Sequence, residues 1–183
     1  MTASPPPSTR VWDPLVRVLH WSLVAAVTLA WATTVSFSNF HEAVGYGGLA
    51  IVAVRVVWGL TGPAHARFAR FVRGPRATWR YATLVLRGDE PRHLGHNPLG
   101  AWMIVALLAC MVVLALTGWL YRTERFWGEV WLDRLHQAIA WAMLVLVMLH
   151  VAGVIVTGWR HHENLARAMI TGRKRAAQDG DID

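Results

Sequence analysis

Four long apolar stretches set the organisation of this chain. Mostly apolar residues run through 15–35, 40–60, 102–121 and 135–157. A helix needs about 20 mostly apolar residues to cross the hydrocarbon core of a bilayer. Each stretch is long enough to do so, and four helices of similar length pack naturally as a bundle. The pattern therefore predicts an all-α, integral membrane four-helix bundle.

The two ends of the chain have a different composition from the spans. Residues 1–10 include Pro5, Pro6 and Pro7 in series, and residues 176–183 are short and polar. Both segments are expected to be disordered, which leaves residues 11–175 as one membrane domain. The first span should stay in the mature protein, because polar residues precede it and no small-residue cleavage site follows it.

The basic residues predict the orientation of the spans. Arginines crowd the link between spans two and three, where Asp89 and Glu90 are the acidic residues, and basic residues also follow span four. The other loops are free of basic residues or balanced in charge. Because Lys and Arg favour the cytoplasmic side, both termini should be cytoplasmic, as in a multi-pass protein of the bacterial inner membrane. The arginines of the link are Arg67, Arg70, Arg73, Arg76, Arg80, Arg87 and Arg92.

Charge and cysteine usage exclude several classes of protein. The formal net charge is +7, but the arginines lie beside spans and alternate with aromatic residues such as Phe68 and Trp79. That arrangement favours contact with an anionic lipid bilayer over nucleic acid. The single cysteine, Cys110, excludes an intrachain disulfide, a thiolate iron–sulfur cluster and a covalent CxxCH haem site.

Four histidines fall at or within the ends of spans, where polar residues usually have a function. They are His20, His41, His136 and His150. His136 and His150 are 14 residues apart on one predicted helix. They therefore differ by about 40° in direction and by about 21 Å in depth. They share a face but belong to two separate sites, which disfavours a binuclear metal centre.

Depth in the membrane then pairs the histidines across helices. Spans one and four bring His20 and His150 near the cytoplasmic surface, and spans two and four bring His41 and His136 near the periplasmic surface. Each pair joins two helices, as a porphyrin with an imidazole on either face requires. Two histidine ligands saturate the iron, which favours electron transfer over oxygen binding. The four residues are thus candidate iron ligands of two haems.

Two further residues are candidates for cofactor contacts. Arg55 lies on the face of His41 and at the depth of the inner pair, where its guanidinium could bind a haem propionate. The alternative is that Arg55 only extends to the inner headgroups. On the same face, Gly45 and Gly48 leave room for a flat macrocycle. His96 opens span three from its inner end and is a candidate for contact with a quinone or a propionate.

The order and spacing of several short motifs resemble the bacterial cytochrome b561 and hydrogenase b-type cytochrome family over residues 11–175. The motifs are Val18-Leu19-His20-Trp21, His41-Glu42, Gly45-Tyr46, Arg55-Val56-Val57-Trp58-Gly59, Ala66-Arg67-Phe68, His96-Asn97-Pro98-Leu99-Gly100, the pair His136 and His150, Glu163-Asn164-Leu165 and Met169-Ile170-Thr171-Gly172-Arg173-Lys174.

This resemblance implies a four-helix cytochrome with two haem b groups, whose ligands correspond to His20, His41, His136 and His150. It also implies a quinone as substrate near the inner haem, around His20, His150, Arg55 and His96. The partner would be a periplasmic cytochrome c or a dehydrogenase or hydrogenase subunit, unless the chain acts alone as a quinone reductase. The sequence leaves open whether the protein is an enzyme by itself and whether it forms a homodimer.

Two other classes of protein remain as alternatives. A histidine-based metal or proton transporter would be expected to carry acidic residues within its spans, and the predicted span interiors have none. A membrane anchor or assembly factor without a cofactor would have no use for histidines paired by depth. Colour in the purified protein separates both alternatives from a cytochrome.

Overall fold

In a computed structural model, residues 8–34 and 39–182 are described, and four long helices dominate them. They are α1 (Pro14–Ala32), α2 (Asn39–Thr61), α5 (Pro98–Tyr121) and α6 (Val130–Arg160). All four are long and apolar enough to span a membrane, which confirms the predicted all-α membrane bundle. α1 packs on α2, α2 on α5, and α5 on α6. α1 and α6 approach each other through Trp31 and Trp141, whose ring centres are 5.2 Å apart.

Shorter elements cover one end of the bundle. A 3₁₀ turn (Ala64–Ala66), α3 (Phe68–Phe71) and α4 (Pro75–Arg87) connect α2 to α5, and α7 (Leu165–Thr171) follows α6. We call this side, formed by residues 62–97 and 161–182, the basic end. The loop of residues 122–129 lies at the opposite end.

Local capping explains where two of the long helices begin. The Asp13 carboxylate accepts hydrogen bonds from the backbone N–H groups of Leu15 and Val16, and Pro14 starts α1. Asn97 accepts from the Gly100 N–H, and Pro98 starts α5 four residues before the predicted position. Proline is favoured at the first helical position because its missing N–H would have no helical partner there. Helix α6 also begins earlier than predicted, at Val130.

The chain ends differ from the expected disorder. Strand β1 (Ser8–Arg10) pairs antiparallel with β2 (Arg173–Arg175). Farther along, Ile182 forms a bridge with His93. Arg92 holds this region by contacting both Glu163 and Asp181, and these ionic contacts order a polar tail that has too few apolar residues to pack by itself. Residues 1–7, the predicted end of the first span at residue 35, and residue 183 lie outside the described residues.

Candidate haem sites

The structure brings the four span histidines together as two pairs. The ring centres of His20 on α1 and His150 on α6 are 6.4 Å apart. Those of His41 on α2 and His136 on α6 are also 6.4 Å apart. These are the pairs predicted from depth, and each joins two helices. Their role as haem ligands remains a prediction.

The ring separation fits a metal held between two imidazoles. A bond from a metal to an imidazole nitrogen is about 2 Å long. Each nitrogen lies about 1 Å from the centre of its own ring, as bonds of about 1.3 Å require. Two imidazoles on opposite sides of one iron therefore have ring centres about 6 Å apart, close to the separation in both pairs. Direct hydrogen bonding between the rings would bring them closer.

At the His41/His136 pair, neighbouring helices hold the Nδ1 atoms. His41 Nδ1 lies 3.1 Å from the Ala30 carbonyl oxygen and 3.2 Å from Thr33 Oγ1. His136 Nδ1 lies 2.8 Å from Thr117 Oγ1. A carbonyl only accepts hydrogen bonds, so the proton of His41 belongs on Nδ1. The Nε2 atom is then left with the lone pair that a metal needs.

Space for a macrocycle lies beside this pair. A cavity of about 510 Å³ opens between α1, α2, α5 and α6, and its walls include His41, Gly45, Ala140 and Met143. A Cβ atom on Gly45 would meet nothing within 4 Å. That Gly45 makes room for a flat ligand remains a prediction.

Gly48 contacts the neighbouring helices α5 and α1. A Cβ atom on Gly48 would lie 2.6 Å from Met111 Cε and 3.8 Å from Ala26 Cβ. The missing side chain leaves room for Met111 of α5, which also lines the cavity, to pack against α2.

Toward the basic end of α2, Arg55 is enclosed by protein. Its exposed fraction is 6%. Its Nη2 donates to the Ala66 carbonyl at 3.3 Å, and its guanidinium lies 4.8 Å from the centre of the Phe68 ring. The buried Nη1 has no protein partner among the described residues. Arg55 therefore does not extend to the headgroups, and it keeps a donor free for an acidic ligand group.

His96 lies between two aromatic rings at the basic end. Its ring centre is 4.5 Å from that of Trp12 and 4.4 Å from that of Phe71. Burial, followed by the charge of Arg55, lowers the pKa of His96 to about 3, so the imidazole is neutral at physiological pH. Its buried Nδ1 has no partner in the described part of the chain. The ring also lines a cavity of about 260 Å³ together with Phe71 and Pro98.

The donor sets fit haem better than a metal ion bound by side chains alone. No group of three or more His, Cys, Asp or Glu side chains within residues 8–34 and 39–182 could hold a metal ion. A macrocycle supplies four ligands of its own, so two imidazoles complete the coordination of its iron.

Sequence reasoning missed three residues of the His41/His136 site. Thr33 and Thr117 contact the imidazoles. Arg122 lines the cavity and lies 3.4 Å from the Glu42 carboxylate. Thr117 could have been noticed as a hydroxyl residue within an apolar span. Its partner, His136, is 19 residues away on another helix, so the sequence alone does not connect the two.

The fold and the histidine pairs define a multi-pass helical membrane protein of the kind that binds haem between its helices. The family model described as prokaryotic cytochrome b561 matches residues 11–172. The chain belongs to this family, and it is accordingly a b-type cytochrome that transfers electrons at a membrane. Neither the curated proteins nor the solved structures yielded a match.

Proposed function

We propose that this cytochrome carries electrons across the bacterial inner membrane between a periplasmic redox partner and the quinone pool. Two b-type haems would serve this path, one at His20/His150 and one at His41/His136. The observation that carries the proposal is the pair of equal ring separations, 6.4 Å each, at two depths of one bundle.

The spacing along α6 supports a relay across the membrane. His136 and His150 are 14 residues apart on this helix, which corresponds to about 21 Å along its axis. When bound, each haem supplies an iron that changes its charge by one electron. The protein's part is to hold each iron from both faces, keep other ligands away and surround the group with apolar side chains.

Side chains beside the pairs would complete the two sites. The free Nη1 donor of Arg55 suits a propionate of the haem at His20/His150. Arg122 has the corresponding position beside the His41/His136 cavity.

The basic end is the side that we assign to the cytoplasm. It holds the arginines of the link between α2 and α5, and Trp79 and Leu86 of α4 are exposed there at 75% and 87%. Such a helix suits the interface of an anionic leaflet. Both described chain ends, Ser8 and Ile182, lie on this side.

A quinone would then dock at the basic end, near His96. The walls of the 260 Å³ cavity are mixed, with Phe71 and Pro98 beside Arg70 and Arg73. His96 lines it too, and the Nδ1 atom of this imidazole has no partner in the described residues. A neutral imidazole can donate to or accept from a quinone oxygen. We expect such a position to be on the side of the His20/His150 pair, because His150 contributes to the electrostatic environment of His96.

The redox partner would meet the opposite end, where Trp127 and Trp131 are exposed at 65% and 53%. A soluble cytochrome c and a dehydrogenase or hydrogenase subunit are both compatible with this surface, as is action alone as a quinone reductase. No observation favours a metal or proton transporter over electron transfer.

Quinol reduction of the purified protein tests the quinone link. Oxidised protein in nanodiscs should be reduced by menaquinol or ubiquinol in stopped-flow absorbance, and His96→Gln should slow the reaction about tenfold or more while haem content stays unchanged. His162→Gln is the matched control, since His162 is exposed at the same end. A wild type that dithionite reduces but no quinol reduces would contradict the quinone link. An unaffected His96→Gln would reject this docking position.

A further inference from the structure

The two imidazoles of the His41/His136 pair are held in the same way by two different helices. At the C-terminal end of α1, His41 meets the Ala30 carbonyl and the hydroxyl of Thr33, the residue that follows the helix. On α5, His136 meets the hydroxyl of Thr117, whose Oγ1 also lies 3.1 Å from the Leu114 carbonyl oxygen. In both cases the contacting groups come from a neighbouring helix, since α1 packs on α2 and α5 packs on α6.

The directions of the hydrogen bonds determine what each threonine does. Thr33 Oγ1 lies 2.7 Å from the Leu29 carbonyl oxygen, and Thr117 Oγ1 lies 2.8 Å from that of Val113. Each hydroxyl donates its proton to this carbonyl. Its oxygen therefore meets the imidazole as an acceptor, and the Nδ1–H of the histidine is the donor. The Nε2 lone pair of each imidazole then points away from the supporting helix.

Burial makes the Thr117 contact hard to replace. Thr117 is 5% exposed. The next residue is Gly118, and a Cβ atom on it would lie only 3.5 Å from His136 Cε1. Water cannot easily substitute for the hydroxyl in such a site. A hydrogen bond in this apolar environment is also electrostatically stronger than one in water.

We infer that Thr33 and Thr117 are positioning residues for the haem between His41 and His136, acting through the two Nδ1–H groups. This inference rests on the proposed haem at that pair. The bonds fix the rotation of each imidazole so that Nε2 faces the iron. They also make each imidazole a stronger donor, as such outer partners do for metal-bound histidines.

The second effect gives the inference a measurable consequence. A stronger donor stabilises ferric iron relative to ferrous iron, because the ferric form carries more positive charge. Removing a hydroxyl should therefore raise the midpoint potential of this haem. The other haem, between His20 and His150, should keep its potential and serves as a reference within the same molecule.

Redox titration of Thr117→Val, Thr33→Val and the double variant tests the inference. Each substitution should change the ferric-to-ferrous preference by about threefold to tenfold, where tenfold corresponds to an upward shift of about 59 mV for one electron. The double variant should shift by about the sum, and Thr117→Ser should restore the wild-type potential. Thr28→Val is the matched control, because Thr28 makes the same kind of bond to the Val24 carbonyl but contacts no histidine in the described residues.

The outcomes separate this inference from the proposed function. Two haems whose potentials and low-spin ferric EPR signals do not change in Thr117→Val and Thr33→Val would overturn the role of the threonines. Loss of one haem in Thr117→Val but not in Thr117→Ser would support it, and loss in both variants would overturn it. A wild type without haem at this pair would instead reject the proposed function.

Discussion

At the scale of single residues, the His41/His136 site depends on where side chains are missing as well as on where they are present. Gly45 lines the cavity one helical turn from His41. Gly47 lies on α2 too, but it is exposed on another face of the helix. A Cβ atom on either glycine would meet nothing within 4 Å. The protein alone therefore gives no steric reason to prefer glycine at one position over the other.

A bound haem would make the two glycines different. Gly45→Leu should prevent haem binding at the His41/His136 pair, because its side chain would enter the space of the macrocycle. Gly47→Leu should keep both haems, because its side chain would enter lipid. Haem b per chain in the purified variants is the measurement. Equal haem content in Gly45→Leu and Gly47→Leu would show that the cavity beside Gly45 is not the haem pocket.

At the scale of elements, one buried arginine ties three distant segments together. The Arg92 side chain is 5% exposed, and its Nη2 lies 2.8 Å from Glu163 Oε1. The same guanidinium contacts Asp181, while Lys174 Nζ lies 3.8 Å from Glu163 Oε2. Burial alone would raise the pKa of Glu163, but the hydrogen bond from Arg92 and the charge of Lys174 hold that pKa below its ordinary value of 4.5. The links are therefore ionic at neutral pH.

Removing Arg92 should release the end of the chain. Arg92→Met leaves buried carboxylates without their partner, and breaking such a pair costs about 3–5 kcal/mol. We expect trypsin to cut after Arg175 much faster in nanodiscs of this variant than in wild type. Arg80→Met is the control, because Arg80 is exposed and its loss should have little effect. Equal cleavage rates in the two variants would show that the ionic contacts of Arg92 do not hold the end of the chain in place.

Glu163 should stabilise the folded end of the chain less as the pH falls. Its pKa is lower in the folded protein than in the unfolded chain, so its contribution is complete above the ordinary carboxylate range. The contribution is lost as the pH falls through the lowered pKa. Cleavage after Arg175 should accordingly be slow from neutral pH down to about 4.5 and accelerate below it, when measured with an acid-tolerant protease.

The sequence predicts the long helices but not the short strands or the contacts of Arg92. The four spans follow from apolar length, because a bilayer demands closed helical hydrogen bonding over about 20 residues. The strands β1 and β2 have only three residues each, too few for a pattern. Arg92 and Asp181 are 89 residues apart, and nothing local in either segment identifies its partner.

At the scale of the whole molecule, the histidine pairs follow from the spans and their directions. Alternating helix directions assign each histidine a depth, and only histidines of equal depth can share one porphyrin. The structure brings together the same pairs, with His20 beside His150 and His41 beside His136. Thr33 and Thr117 were not predicted, because their role depends on the rotation of neighbouring helices, which apolar spans leave undetermined.

The count of haem b per chain tests the central claim most directly. A pyridine haemochrome assay with a dithionite-reduced minus oxidised spectrum should give two haems b per chain for the wild type in detergent. His20→Ala and His136→Ala should each give about one, because each substitution removes one ligand of one pair. A colourless wild type from haem-replete cells, or one haem in wild type and in both variants, would contradict two bis-histidine sites.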